Sequence, residues 1–233
     1  MATDRPKQEN LLVNLLFNII IPTLILTKFS GPERLGPAWG IVVALSFPIA
    51  YGLRDYSRAQ KINFFSALGV ISVVLTGGMS LLQIDPKYIA IKEAAVPALF
   101  GIATLISLRT PYPLVRTLLY NDMVLDTKRI DQALTDHGNH SRFEEALVVA
   151  SWVLAGSFLL SSILNYVLAR VLLLAPPGTE EFNAQLGKMT ALSYPVIALP
   201  AMLVMMGALF YLFRRICQLT HMELDEIVHH KDN

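Results

Sequence analysis

The residues of this chain best suited to chemistry are charged and amide side chains set into apolar runs. Lys92 and Glu93 stand side by side in the run 88–108. Burying an ionisable group in such surroundings costs at least a few kcal/mol, so each needs a partner or a task. Asp85, just before that run, is the expected partner of Lys92. Neighbours on a helix point about 100° apart, so one of Lys92 and Glu93 is expected to face inward. Asn14, Asn18 and Pro22 recur every fourth residue and share a helix face, on which Pro22 has no N–H to offer the carbonyl of Asn18. Thr76 closes a small-residue face formed with Ser66, Gly69 and Ser72, and Asn165 follows a patch of Ser157, Ser161 and Ser162. Asn14, Asn18, Thr76, Asp85, Lys92, Glu93 and Asn165 are thus the candidates for a polar cleft or a buried ion pair. Two readings stay open for them: a lining for a small ligand, or hydrogen-bond glue between helices.

Arg54, Arg58, Arg109 and Arg116 flank apolar runs, where cations meet anionic headgroups or partner proteins. No GxSxG, HExxH or clustered Asp/His pair falls within a run, so no catalytic residue is assigned and the chain is read as a non-enzyme. His137, His140, His221, His229 and His230 lie in polar stretches and read as solvated. Met202, Met205 and Met206 read as packing residues, and no metal or cofactor is expected. The single cysteine, Cys217, excludes an intrachain disulfide.

The elements that must position these residues follow from composition. Of the 233 residues 54% are hydrophobic and 16% charged, and mean hydropathy is +0.50. A water-soluble domain carries roughly 25% charged residues, so this chain could not cover a surface facing water. Its apolar residues gather into runs near the ~20 residues a bilayer-spanning helix needs. The expectation is an all-α, polytopic membrane protein forming one integral domain, because only backbone satisfied within its own segment survives in lipid. Six spans are read, at 11–27, 37–53, 64–84, 88–108, 146–174 and 189–216, with a cytoplasmic loop at 109–145. Thirteen of the 19 Lys and Arg then fall on the side of the N-terminus, the others being Lys28, Arg34, Lys87, Lys92, Arg170 and Lys188. The positive-inside rule makes both termini cytoplasmic. No small-residue cleavage site follows the first run, which reads as a retained span. A formal net charge of +1 gives no pointer to nucleic acid.

Local signals set the helix ends. Asp85-Pro86 is an N-cap followed by a proline with no N–H to lose, and Thr179-Glu180-Glu181 is an N-cap with acids in the first turn. Ser141-Arg-Phe-Glu144 has the capping-box spacing that would start the fifth helix. In the loop, Leu114, Leu118 and Leu119 with Arg116 read as a short interfacial helix, and Asp126 to Asp136 as a polar helix stopping near Gly138. Pro195 and Pro200 should bend the sixth span. Gly77-Gly78 either lets two helices approach closely or breaks the third span around a cavity.

Arg58, Lys61, Leu75-Thr76-Gly77-Gly78, Asp85, Lys92, Ala98-Leu99-Phe100, Leu105-Ile106-Ser107 and Pro113-Leu114 with Arg116 and Leu118 form a pattern, a glycine pair before an acid and a lysine early in the next span. In this it resembles the bacterial intracellular septation protein A family over residues 58–119. The resemblance implies a multi-pass protein of the bacterial inner (cytoplasmic) membrane, engaged in septation or envelope maintenance through other membrane proteins rather than by catalysis. Partners on this reading are the lipid bilayer and inner-membrane proteins of the envelope machinery, with homo-oligomers allowed and no nucleic acid. The alternative is a small transporter or lipid-handling protein with a polar cleft around Asn14, Asn18, Lys92 and Glu93.

Overall fold

A computed structural model describes residues 11–59, 64–110, 113–120 and 125–228 of the protein. Among these the chain is helical, apart from one isolated antiparallel bridge between Leu125 and Val228. Among the described residues five helical stretches are long and apolar enough to cross a membrane: Leu12–Phe29, Gly36–Arg54, Pro86–Ser107, His140–Leu172 and Glu180–Thr220. The shorter apolar stretch Leu68–Leu81 belongs to helix α4 (Phe64–Leu81). Exposed rows such as Leu199, Leu203, Met206 and Phe210 have no protein cover, as expected of helices whose solvent is lipid.

The first run begins with α1 (Leu11–Leu15) and α2 (Ile21–Leu24), each followed by a π-helical turn, Leu16–Ile20 and Ile25–Phe29. Pro22 supplies the reason: lacking an N–H, it cannot serve the carbonyl four residues back, and the ladder widens there, with the Ile21 N–H donating to the Leu16 carbonyl five residues back. Helix α3 (Gly36–Ala59) then runs unbroken through Pro48, and α4 runs unbroken through Gly77 and Gly78. The broken-helix reading of the glycine pair is therefore replaced by close packing. A Cβ on Gly77 would collide with the side chain of Leu45, whereas Gly78 has open space.

Helix α5 (Pro86–Ser107) follows, then α6 (Leu114–Leu119), α7 (Thr127–Asp136), α8 (His140–Leu172), α9 (Glu180–Ser193), a π turn at Tyr194–Ala198, α10 (Leu199–Thr220) and α11 (Leu224–Ile227). Helix α8 starts at His140, inside which Ser141 and Glu144 cannot act as a capping box. Glu144 instead pairs with Arg116. Helices α9 and α10 and the π turn holding Pro195 between them form one helical stretch, longer at its start than the span expected from sequence.

The chain divides into two compact units, Met1–Lys92 with Asn165–Pro195, and Glu93–Leu164 with Val196–Asn233. The first has a core of Leu26, Ile41, Ala44, Ile89, Ala90, Ala169, Leu173, Phe182 and Leu186. Helix α9 approaches closely at Gly187, where a Cβ would lie 2.9 Å from the Thr27 methyl and 3.2 Å from the Thr23 carbonyl oxygen.

The second unit holds a folded cap. Val115, Leu119, Leu125, Ile130, Leu134 and Ile227 are buried with Phe143 and Leu147 of α8 and Leu212, Ile216 and Leu219 of α10. The stretch read from sequence as a loop with a short interfacial helix thus has a core of its own. Helix α6 turns Val115 and Leu119 into protein rather than lipid, because α7 and α11 supply the apolar surface to meet them. The tail after Thr220 folds back too: the Asp126 N–H donates to the Ile227 carbonyl at 2.9 Å, and Arg129 pairs with Glu226 at 3.0 Å. Asp126 caps α7 by accepting the Arg129 N–H at 3.1 Å. Met202, Met205 and Met206 are exposed rather than packed. His229 and His230, and the side chains of Tyr56, Arg58, Ser66 and Leu118, lie outside the described residues.

Candidate functional site

Ser72, Thr76 and Ser80 recur every fourth residue of α4 and so lie on one face. The chain leaves α4 through Leu82 and Gln83, the latter left-handed at φ 54°, and re-enters α5 at Pro86. This hairpin sets Lys92 opposite the stripe. Its Nζ donates to Thr76 Oγ1 at 2.6 Å, to Ser72 Oγ at 3.0 Å and to the Ser72 carbonyl at 3.2 Å. Thr76 Oγ1 donates in turn to the Ser72 carbonyl at 3.0 Å. An ammonium taken from water needs acceptors for its protons, and here hydroxyls and a carbonyl supply them. One turn further along α4, about 6 Å of rise, Ser80 is fully buried and its Oγ has no hydrogen-bond partner.

The expected Asp85–Lys92 pair does not form. Asp85 accepts the backbone N–H of Lys87 at 2.9 Å and pairs with the Lys87 ammonium at 3.5 Å. As the cap of α5 it is tied to Lys87, two places on, while Lys92 is two turns up the helix. The Lys87 backbone N–H holds the Asp85 carboxyl below its ordinary value, with the charges of Lys87 and Arg170 acting the same way.

Asn18 Nδ2 donates to Asn14 Oδ1 at 3.1 Å, so these two amides bond each other along one face. Glu93 is half-buried on α5 and belongs to the second unit, and Asn165 is half-buried on α8 in the first. Of the four flanking arginines, Arg54 and Arg109 are exposed, and Arg116 is engaged with Glu144. The serine patch on α8 bonds neighbouring helices within its unit: Ser157 donates to the Ala201 carbonyl at 3.2 Å and Ser162 to the Ala94 carbonyl at 2.8 Å.

Two features escaped the sequence reading. Asn183 of α9 is fully buried, donates from Nδ2 to the Pro37 carbonyl at 2.8 Å, and leaves Oδ1 without a partner. One amide among Phe182, Leu186 and Met189 was the available signal. The rings of His137 and His221 also meet, 5.0 Å apart, each at the C-terminal end of a helix. His137 carries a proton on Nδ1, which donates to the Ala133 carbonyl at 2.7 Å. Among the described residues no three His, Cys, Asp or Glu side chains are grouped to hold a metal. Comparison with protein families, with characterised proteins and with solved structures finds no match to this chain.

Proposed function

We propose that this is a multi-pass protein of the bacterial inner membrane that works in septation or envelope maintenance by contact with other membrane proteins, not by catalysis. The observation that carries this reading is the folded cap. A stretch of polar sequence that would otherwise be a linker is held as a rigid surface by the core around Ile130, Leu134 and Phe143 and by the Arg129–Glu226 pair. On this reading α4 completes a set of six spans and both termini face the cytoplasm, as the distribution of Lys and Arg requires. The cap then stands on the cytoplasmic side.

The test combines topology with partner capture. Reporter fusions after residues 33, 84, 138 and 178 should score outside, outside, cytoplasmic and outside. Photo-crosslinkers at exposed cap positions such as Asp131 and Leu224 should trap an inner-membrane partner. Swapping the cap's exposed residues while keeping its core should abolish both the crosslink and complementation of a deletion strain. Full complementation by the swapped cap would reject the proposal.

A second reading, a lipid-handling or transport protein, is favoured by Lys92 and by the orphan hydroxyl of Ser80 on the same polar stripe. It requires that the double variant Lys92→Ala, Glu93→Ala lose function while partner capture persists. Unchanged complementation by that variant removes it.

A further inference from the structure

The turn Ser30–Leu35 joins the first membrane-length helix to the second, and it is tightly bonded: Arg34 and Gly36 both donate their N–H to the Gly31 carbonyl at 3.0 Å, and the Leu35 N–H donates to Phe29 at 3.1 Å. Beside it lies an open surface cavity of about 400 Å³ lined among others by Gly31 and the exposed Lys28, Glu33, Arg34 and Glu180. The Glu180 carboxylate leans over Gly31, where an added Cβ would meet it at 3.1 Å.

Two cations and two carboxylates therefore ring one cavity, yet no ion pair joins Lys28 or Arg34 to Glu33 or Glu180. Arg34 is held in place without being neutralised. Its guanidinium lies 5.2 Å above the centre of the Phe29 ring and spends one N–H on the Lys28 carbonyl. Further N–H groups of its fork remain to grip an oxyanion. Size and charge pattern fit a small zwitterion: an anionic phosphate at Lys28 and Arg34, and an ammonium at Glu33 and Glu180. A purely anionic headgroup would meet two carboxylates, and a quaternary ammonium has no N–H to give them.

The surroundings add a lipid context. The cavity lies where one membrane-length helix ends and the next begins, the depth of the bilayer's polar layer, and Leu24, Phe29 and Trp39 are exposed beside the turn. The geometry points to a binding site for a phosphodiester carrying a primary amine, the chemistry of a phosphatidylethanolamine headgroup or of its free glycerol phosphodiester. This inference rests on the membrane reading but not on the cap or its partner.

The test is native mass spectrometry of the full chain with phosphatidylethanolamine, phosphatidylcholine and phosphatidylglycerol of matched acyl chains. The ethanolamine lipid should be retained about tenfold over the choline lipid, Glu180→Gln should erase that preference, and Arg34→Ala should cut retention of both lipids about tenfold, as loss of one charge-assisted hydrogen bond would. Arg34→Lys should keep part of that retention. Free glycerophosphoethanolamine competing as well as the lipid would assign the site to the soluble compound. Equal retention of the two lipids, a preference unchanged in Glu180→Gln, or retention unchanged in Arg34→Ala overturns the site. Carbonate washing of membranes separates this failure from the larger one: a chain that stays with the membrane but shows no preference sinks the site alone, and a chain released to water sinks both.

Discussion

The Lys92 ammonium sits 2.6 Å from the Thr76 hydroxyl, bonding α5 to α4 on the far side of the hairpin from Asp85. The bond couples a cation to a side chain that also satisfies itself, since Thr76 Oγ1 reaches the Ser72 carbonyl at 3.0 Å. The two partners should therefore respond unequally to removal.

Thr76→Val takes one acceptor from Lys92 and should destabilise by about 1–3 kcal/mol. Lys92→Met keeps the apolar stem and leaves the Thr76 hydroxyl bonded to the Ser72 carbonyl of its own helix, so it should cost less than Thr76→Val. Thermal unfolding in detergent compares the two.

Gly78 of α4 and Gly187 of α9 meet different surroundings and should answer differently. Gly78→Ala meets nothing within 4 Å and should stabilise α4 by roughly 0.5–1 kcal/mol. Gly187→Ala presses on Thr27, Leu26 and the Thr23 backbone and should cost about 1–3 kcal/mol. The same unfolding assay reads both.

Within the cap, burial should outweigh charge. Ile130→Ala should cost about 2–5 kcal/mol. Arg116→Ala removes only a half-exposed pair with Glu144 and should cost no more than about 1 kcal/mol. Hydrogen exchange over 125–136 and 224–228 should rise sharply for the first variant and little for the second.

Asp85 gives a pH signature. Its carboxyl is held below the ordinary value chiefly by the Lys87 N–H, so the folded state binds this proton less readily than the unfolded chain. The stabilisation is complete above the ordinary carboxylate value of about 4 and fades as pH falls through the lower folded value. Asp85→Asn should lower the unfolding midpoint at neutral pH, and the gap from the parent should shrink in acid. A gap that is constant with pH would rule out the charged cap.

Much of the fold is legible in the sequence, since a run of about 20 apolar residues has few alternatives to a helix. The caps at Asp85 and Thr179 were legible for a similar reason: each bonds an N–H two or three residues on, within reach of local pattern. The cap was not. Its core joins Leu125, Ile130 and Leu134 to Ile227, single apolar residues in polar stretches that say nothing until α8 and α10 bring them together. At the candidate site the chain showed the lysine and the small-residue face but not that they met. Ser72 and Thr76 read equally well as spacers for close packing, and Asp85 was nearer in sequence than in space.

Ile227 is fully buried in a core whose first members are laid down at Val115. During synthesis, that greasy patch on α6 and α7 must wait for about 90 further residues after Leu134, including two membrane-length helices, before its lid arrives. A ribosome stalled before Ile227 leaves an incomplete protein with its apolar interior open to the cytosol, on the topology proposed above. Truncating the chain before Ile227 should therefore expose hydrocarbon that a chaperone or protease can bind.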